Sequence, residues 1–95
     1  MRGIRWEPVE VWLSHDKPAR FVWRGRLFTV LFVHDRRETA RPAPPLSDDA
    51  ASAGDPVTYV LWRVEATAEK GVAGEIYELL QEPGGERWLL ARGLH

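Results

Sequence analysis

Apolar and polar residues alternate at period two along most of this chain, and that is the spacing of half-buried strands rather than of helices. Val9, Val11 and Leu13 alternate with Glu10, Trp12 and Ser14 in a first predicted strand. His15-Asp16-Lys17-Pro18 reads as a turn, and Ala19 to Trp23 as a second strand with Phe21 and Trp23 on one face. Arg24-Gly25 then fits a two-residue hairpin loop, because glycine accepts the positive φ that such loops require. Arginine is not the preferred partner there, so a three-residue loop with a glycine bulge stays open as an alternative. Leu27 to Val33 is apolar on both faces apart from Thr29, the pattern of a central strand covered on two sides.

The rhythm stops at residues 40–56, ARPAPPLSDDAASAGDP, where prolines, small residues and acids replace large apolar ones. A flexible loop is expected over about 40–56, inside a single domain, since neither flank could bury a core alone. Strand patterning resumes at Val57 to Ala66, with Val60, Trp62 and Val64 set against Tyr59, Leu61 and Arg63. Ile76 to Leu80 and Arg87 to Leu90 flank Glu82-Pro83-Gly84-Gly85, a hairpin closed by a Pro-Gly turn. The pattern predicts an all-β fold of about six mostly antiparallel strands in a small barrel or strongly curled sheet. ATAEKGVAG, residues 66–74, reads as a turn or loop because two glycines argue against a helix, with a short helix near residues 67–73 as the alternative.

Composition adds bounds. Ninety-five residues suit one domain, and a chain of that size needs a core dense in large side chains. Five Trp, three Phe and two Tyr supply it. The absence of Cys excludes disulfides, thiolate metal sites and cysteine nucleophiles, and a reducing cytoplasm fits. Glu7 and Pro8 interrupt the N-terminus before any signal-like apolar stretch. The longest apolar run is far below the roughly 20 residues of a membrane-spanning helix, so a soluble protein without membrane contact is expected.

Charge is unevenly placed. Residues 1–45 hold nine Lys/Arg against five Asp/Glu, a net +4, whereas residues 46–95 hold four against nine, a net −5. Two readings follow: the halves attract each other within one fold, or the first half offers a face to anions.

Candidate chemistry is sparse. His15-Asp16 and His34-Asp35 are identical dipeptides that a three-strand meander would put at one end of the sheet. They could make a crude divalent-metal site, but strands one and three lie two spacings apart, and Asp after His at a strand end is ordinary turn chemistry. Ser14 ends a predicted strand and Ser47 and Ser52 lie in the loop, so no serine has a base held in register. Glu65, Glu75 and Glu78 read as a solvated sheet face, and Gly84-Gly85 lacks the ending of a phosphate loop. No enzymatic activity, metal or cofactor is expected.

What remains is arginine interleaved with tryptophan. Arg20, Arg24 and Arg26 surround Trp23, and Arg36 and Arg37 follow the third strand, with Arg41 beyond. Small β-domains hold single-stranded nucleic acid by tracking phosphates with cations while bases stack on rings. Within the second strand Arg20 and Phe21/Trp23 face opposite ways, so a shared face needs a neighbouring strand. Trp23 reads as core, Trp12 as the better exposed candidate, and Trp6 as a cap on an open barrel end. The expected binding residues are Trp12, Arg20, Arg24, Arg26, Arg36 and Arg37.

The segments EPVEVWL, PARFVWRGRLFTV, YVLWRVEA, GEIYELL and GERWLLARGL together resemble a bacterial family of unknown function. Its members occur as small stand-alone proteins and, in similar form, as C-terminal segments of some Y-family error-prone-polymerase-like proteins. The likeness spans almost the whole chain except residues 40–56, and it departs after Val33, where Arg36-Arg37 stand in place of an aromatic. The resemblance implies an accessory module near DNA repair or translesion synthesis and lends no catalytic residue. The sequence therefore points to a non-enzymatic accessory module that binds single-stranded nucleic acid weakly. The alternative is a protein-interaction or self-associating module, a homodimer included, without nucleic-acid contact.

Overall fold

A computed structural model describes residues 6–42 and 56–92. Six strands follow one another: β1 (Glu7–Ser14), β2 (Lys17–Trp23), β3 (Arg26–Pro42), β4 (Pro56–Thr67), β5 (Glu75–Gln81) and β6 (Trp88–Arg92). Each pairs antiparallel with the next, and β6 returns to β1 through Glu7↔Leu90, Pro8↔Leu89 and Val9↔Trp88, closing a meander barrel. Closure removes the two outer edges that an open six-stranded sheet would present.

The tight turns follow from residue type. Arg24 and Gly25 both take positive φ, 53° and 77°, between the paired residues Trp23 and Arg26. That is the two-residue hairpin of the primed class, which matches the twist of its strands. His15 and Asp16 do the same at 53° and 65° between Ser14 and Lys17, so β2 starts two residues earlier than the turn pattern suggested. In the last hairpin Gly84 has φ 91° after Pro83, and the Gly85 N–H donates to the Glu82 carbonyl at 3.0 Å.

Inside the barrel Phe21, Val64, Leu79 and Leu90 are fully buried, with Trp23, Phe28, Trp62, Tyr77 and Trp88 packed among them. Phe21 and Phe28, opposite in register, stack at 5.0 Å between ring centres, and Tyr77 meets Phe21, Trp23 and Phe28 edge-on at 5.4–5.9 Å. Three of the five tryptophans are core, Trp6 is half-buried, and Trp12 is exposed.

Four sequence expectations need correction. The described residues contain no helix: Thr67 ends β4, and the turn after it is held by the Thr67 hydroxyl, which accepts from the Glu69 N–H at 3.1 Å. Ala40–Pro42 and Pro56, placed in the expected loop, lie in paired strands; residues 43–55 of that segment lie outside the described residues. The apolar second face of β3 is not covered, for Leu27, Leu31 and Phe32 are 50%, 42% and 62% exposed. Leu13, expected on the buried face of β1, is also exposed, because the β1–β2 register shifts between Trp12 and Leu13.

The register of β3 on β4 shifts twice, between Val30 and Phe32 and between Val33 and Asp35. Each shift leaves one residue, Leu31 then His34, without an opposite partner, and such bulges bend a strand sharply. Pairing of β3 with β2 ends at Arg20↔Thr29, just before these bulges. The rest of β3 leaves β2 behind and stays paired only with β4. Past Val60↔Gln81 the β3–β4 pair continues as a two-stranded ribbon to Pro42↔Pro56.

Candidate nucleic-acid interface

The registers decide which candidate side chains share a face. Phe21, Trp23 and Phe28 point inward, so Arg20, Val22, Leu27 and Thr29 point outward. Trp12 stands opposite Arg20, Arg20 opposite Thr29, and Thr29 opposite Thr67, giving one outward row across four strands. The strand adjacent to β2 thus brings indole and guanidinium together, which β2 could not do alone. Trp12 is 49% exposed, and Arg20 and Lys17 make no ion pair among the described residues.

The other arginines have different surroundings. Arg24 lies across the Trp23 ring at 4.6 Å and gripped by Glu7, its Nε at 3.0 Å from Oε1 and Nη2 at 2.6 Å from Oε2. Glu7 Oε1 also accepts from Trp23 Nε1 at 3.2 Å. The hydrogen bond and charge of Glu7 push the Arg24 guanidinium above its already high ordinary value. This arrangement ties the start of β1 to the β2–β3 turn, a closure role rather than a free hand for a ligand. Arg36 pairs with Glu38 at 3.0 Å and lies over the Trp62 ring at 5.3 Å. Arg37 pairs with Asp35 at 2.8 Å, and that hydrogen bond is the main reason the Asp35 carboxyl sits below its ordinary value. Arg26 has no ion pair among the described residues, but it sits on the inward-facing register by the Phe28 ring, away from the Trp12 row.

Among the described residues, ion pairs lie mostly within each half of the chain rather than between the halves. Among the described residues only His34–Glu65, at 3.1 Å, joins the basic half to the acidic one. Arg63–Glu78, Arg92–Glu75 and Arg87–Glu82 stay within the second half. Glu65, Glu75 and Glu78, read as a solvated face, are thus partners of the surface side chains of His34, Arg92 and Arg63.

The two His-Asp dipeptides do approach a common place, a cleft at the end of the β2–β3 seam. They do not make a metal centre. His34 is turned to Glu65, and both oxygens of Asp35 already accept, from the Arg36 N–H and from Arg37 Nε at 2.8 Å each. Among the described residues no three His, Asp or Glu side chains gather as a ligand set.

A second surface feature escaped sequence reasoning. Leu27, Leu31 and Val72 line a groove of about 820 Å³ between the outer face of β3 and the turn after β4. Alternation already sets Leu27 and Leu31 on the second face of β3, but the apolar run read as covered on both sides, which hid the groove.

Fold and surface together define a small closed antiparallel barrel with an aromatic-cationic row on one outer face. The described residues contain no helix long and apolar enough to cross a membrane. Residues 4–94 match the family model described as domain of unknown function (DUF6504), and the chain belongs to that family. No curated protein and no solved structure matches it significantly.

Proposed function

We propose that the protein is a non-enzymatic accessory module that holds single-stranded nucleic acid weakly on the outer face of β1 and β2. The observation that carries this reading is the opposition of half-exposed Trp12 to Arg20, a guanidinium with no carboxylate partner among the described residues. An indole offers a base its face, and the neighbouring cation meets the adjoining phosphate. The resemblance of the sequence to segments of error-prone-polymerase-like proteins supports a setting in DNA repair or translesion synthesis.

Fluorescence anisotropy of a labelled single-stranded oligonucleotide tests the proposal. Trp12→Ala is expected to weaken binding about tenfold, since a stacked base contributes roughly 1–3 kcal/mol. Arg20→Glu is expected to weaken it further and to flatten the salt dependence, whereas Arg92→Glu, beyond the Glu7 end of β1, leaves it unchanged. Equal binding by wild type and Trp12→Ala would contradict the stacking role.

A second reading, a protein-interaction module, rests on the groove of Leu27, Leu31 and Val72. Apolar contact there would hardly respond to salt, and Leu31→Glu would abolish it while sparing oligonucleotide binding.

A further inference from the structure

Trp62 carries an unusual polar atom. Its Nε1 is buried and has no hydrogen-bond partner, on a residue only 5% exposed. An orphaned buried donor is destabilising, and most buried donors are satisfied in folded proteins. The sequence offers no obvious reason to keep an indole here, since Trp62 faces Leu79 on one side and Arg36 on the other.

The surroundings supply one. Trp62 borders the cleft of about 510 Å³ that opens where β3, bent by its two bulges, parts from β2. Lys17 and His15 border the same cleft from the β1–β2 turn, and Arg36 from β3. Two carboxylates are also present, but they do not balance these donors. Asp35 is already doubly engaged, by the Arg36 N–H and by Arg37. That leaves Asp16 as the cleft's acceptor without a partner among the described residues, against the Lys17 ammonium, the Trp62 N–H and the guanidinium edge that Arg36 does not spend on Glu38. A cleft with surplus donors suits a group made of acceptors.

We propose that this cleft is a phosphate-binding site in which the Trp62 indole N–H and the Lys17 ammonium are the principal donors. A phosphate presents several strong acceptor oxygens, enough for both and for Arg36 at once. The Trp62 nitrogen is buried beside the cleft, and the half-exposed Arg36, its guanidinium 5.3 Å from the centre of the same ring, would follow the anion. This inference goes beyond the nucleic-acid reading and stands even if Trp12 and Arg20 bind nothing.

The test is a titration of ¹⁵N-labelled full-length protein with inorganic phosphate at constant ionic strength, read at the Trp62 indole N–H cross-peak. That cross-peak is expected to shift and saturate in the millimolar range while the indole signals of Trp12 and Trp23 stay in place. Lys17→Gln, an exposed position that should not disturb folding, is expected to weaken the response about tenfold, the loss of one charge-assisted hydrogen bond. A Trp62 signal that stays put far above that range, or that follows sodium chloride equally well, overturns the proposal. A 5′-phosphorylated oligonucleotide then distinguishes the sources: competition with inorganic phosphate assigns the site to a strand terminus, and its absence assigns it to small phosphate compounds.

Discussion

At the scale of single residues, Glu7 and Tyr77 show how the ends of the barrel are secured. Glu7 accepts from two side chains at once, Trp23 Nε1 and Arg24, and thereby pins the first strand against the β2–β3 turn. Tyr77 sits among Phe21, Trp23 and Phe28, and its burial, reinforced by Glu75 and opposed by Arg92 and Arg26, raises the phenol above its ordinary value near 10. Because the folded-state value is the higher one, the stabilisation is complete below about pH 10 and is lost as pH rises toward the folded-state value. Urea midpoints followed from about pH 9 to about 11 should therefore fall, and Tyr77→Phe should flatten that alkaline limb. An unchanged slope in Tyr77→Phe would place the titration elsewhere. The residue scale is also where the sequence was least legible. The Arg24–Glu7 contact spans 17 positions and exists only because β1 and the β2–β3 turn meet at one barrel end. By contrast, Asp35–Arg37 and Arg36–Glu38 are i,i+2 pairs on one strand, a spacing that the sequence displays openly.

At the scale of elements, period-two patterning located all six strands, and residue chemistry located their tight turns. What it could not show was parity across a bulge. Val30 and Val33 both pair on the inner face of β3, opposite Ala66 and Val64, although three positions separate them. Strict alternation forbids that, so an apolar run on two faces looked like a doubly covered strand. The bulges supply a simpler cause: the first turns Phe32 outward beside Leu31, and together they steer β3 away from β2. Close strand approach is equally invisible in sequence. A Cβ placed on Gly74 would lie 2.9 Å from the Ala66 carbonyl oxygen and from Glu65 Cγ, so β5 enters the sheet against β4 backbone. Gly74→Ala should cost about 1–3 kcal/mol, the usual range for overpacking against unyielding atoms, measured as a lowered urea midpoint. Gly71→Ala, with nothing within 4 Å but φ +82°, provides a contrast in which backbone strain alone acts. A Gly74→Ala protein no less stable than wild type would contradict the close approach.

At the scale of the whole molecule, the ion pairs among the described residues lie mostly within each half of the chain, and three of the exposed large apolar side chains are gathered in one place. Leu27, Leu31 and Val72 share one groove, and Trp12 heads the row that includes Arg20 and Thr29. Exposed clusters of this kind mark surfaces that meet something. The barrel closure, a pairing of residues 7–9 with 88–90, is the longest-range feature of the fold and lies beyond any local pattern. The sequence nonetheless named the two residues that the outer face brings together, Trp12 and Arg20, for reasons of residue type. It also named four arginines whose surroundings differ: Arg24 is held by Glu7 through barrel closure, Arg26 lies by the Phe28 ring, and Arg36 and Arg37 pair with carboxylates on their own strand.

The central claim is that Trp12 and Arg20 form one nucleic-acid-binding surface, and the most direct measurement is ¹⁵N chemical-shift mapping with a single-stranded oligonucleotide at low salt. The account expects the largest changes at the Trp12 indole and at the amides of Lys17, Arg20 and Thr29. It also expects those changes to fade by about tenfold in affinity between low and physiological salt, as contacts to a few phosphates require. Shifts confined to Leu27, Leu31 and Val72, or none at all at low salt, would contradict it.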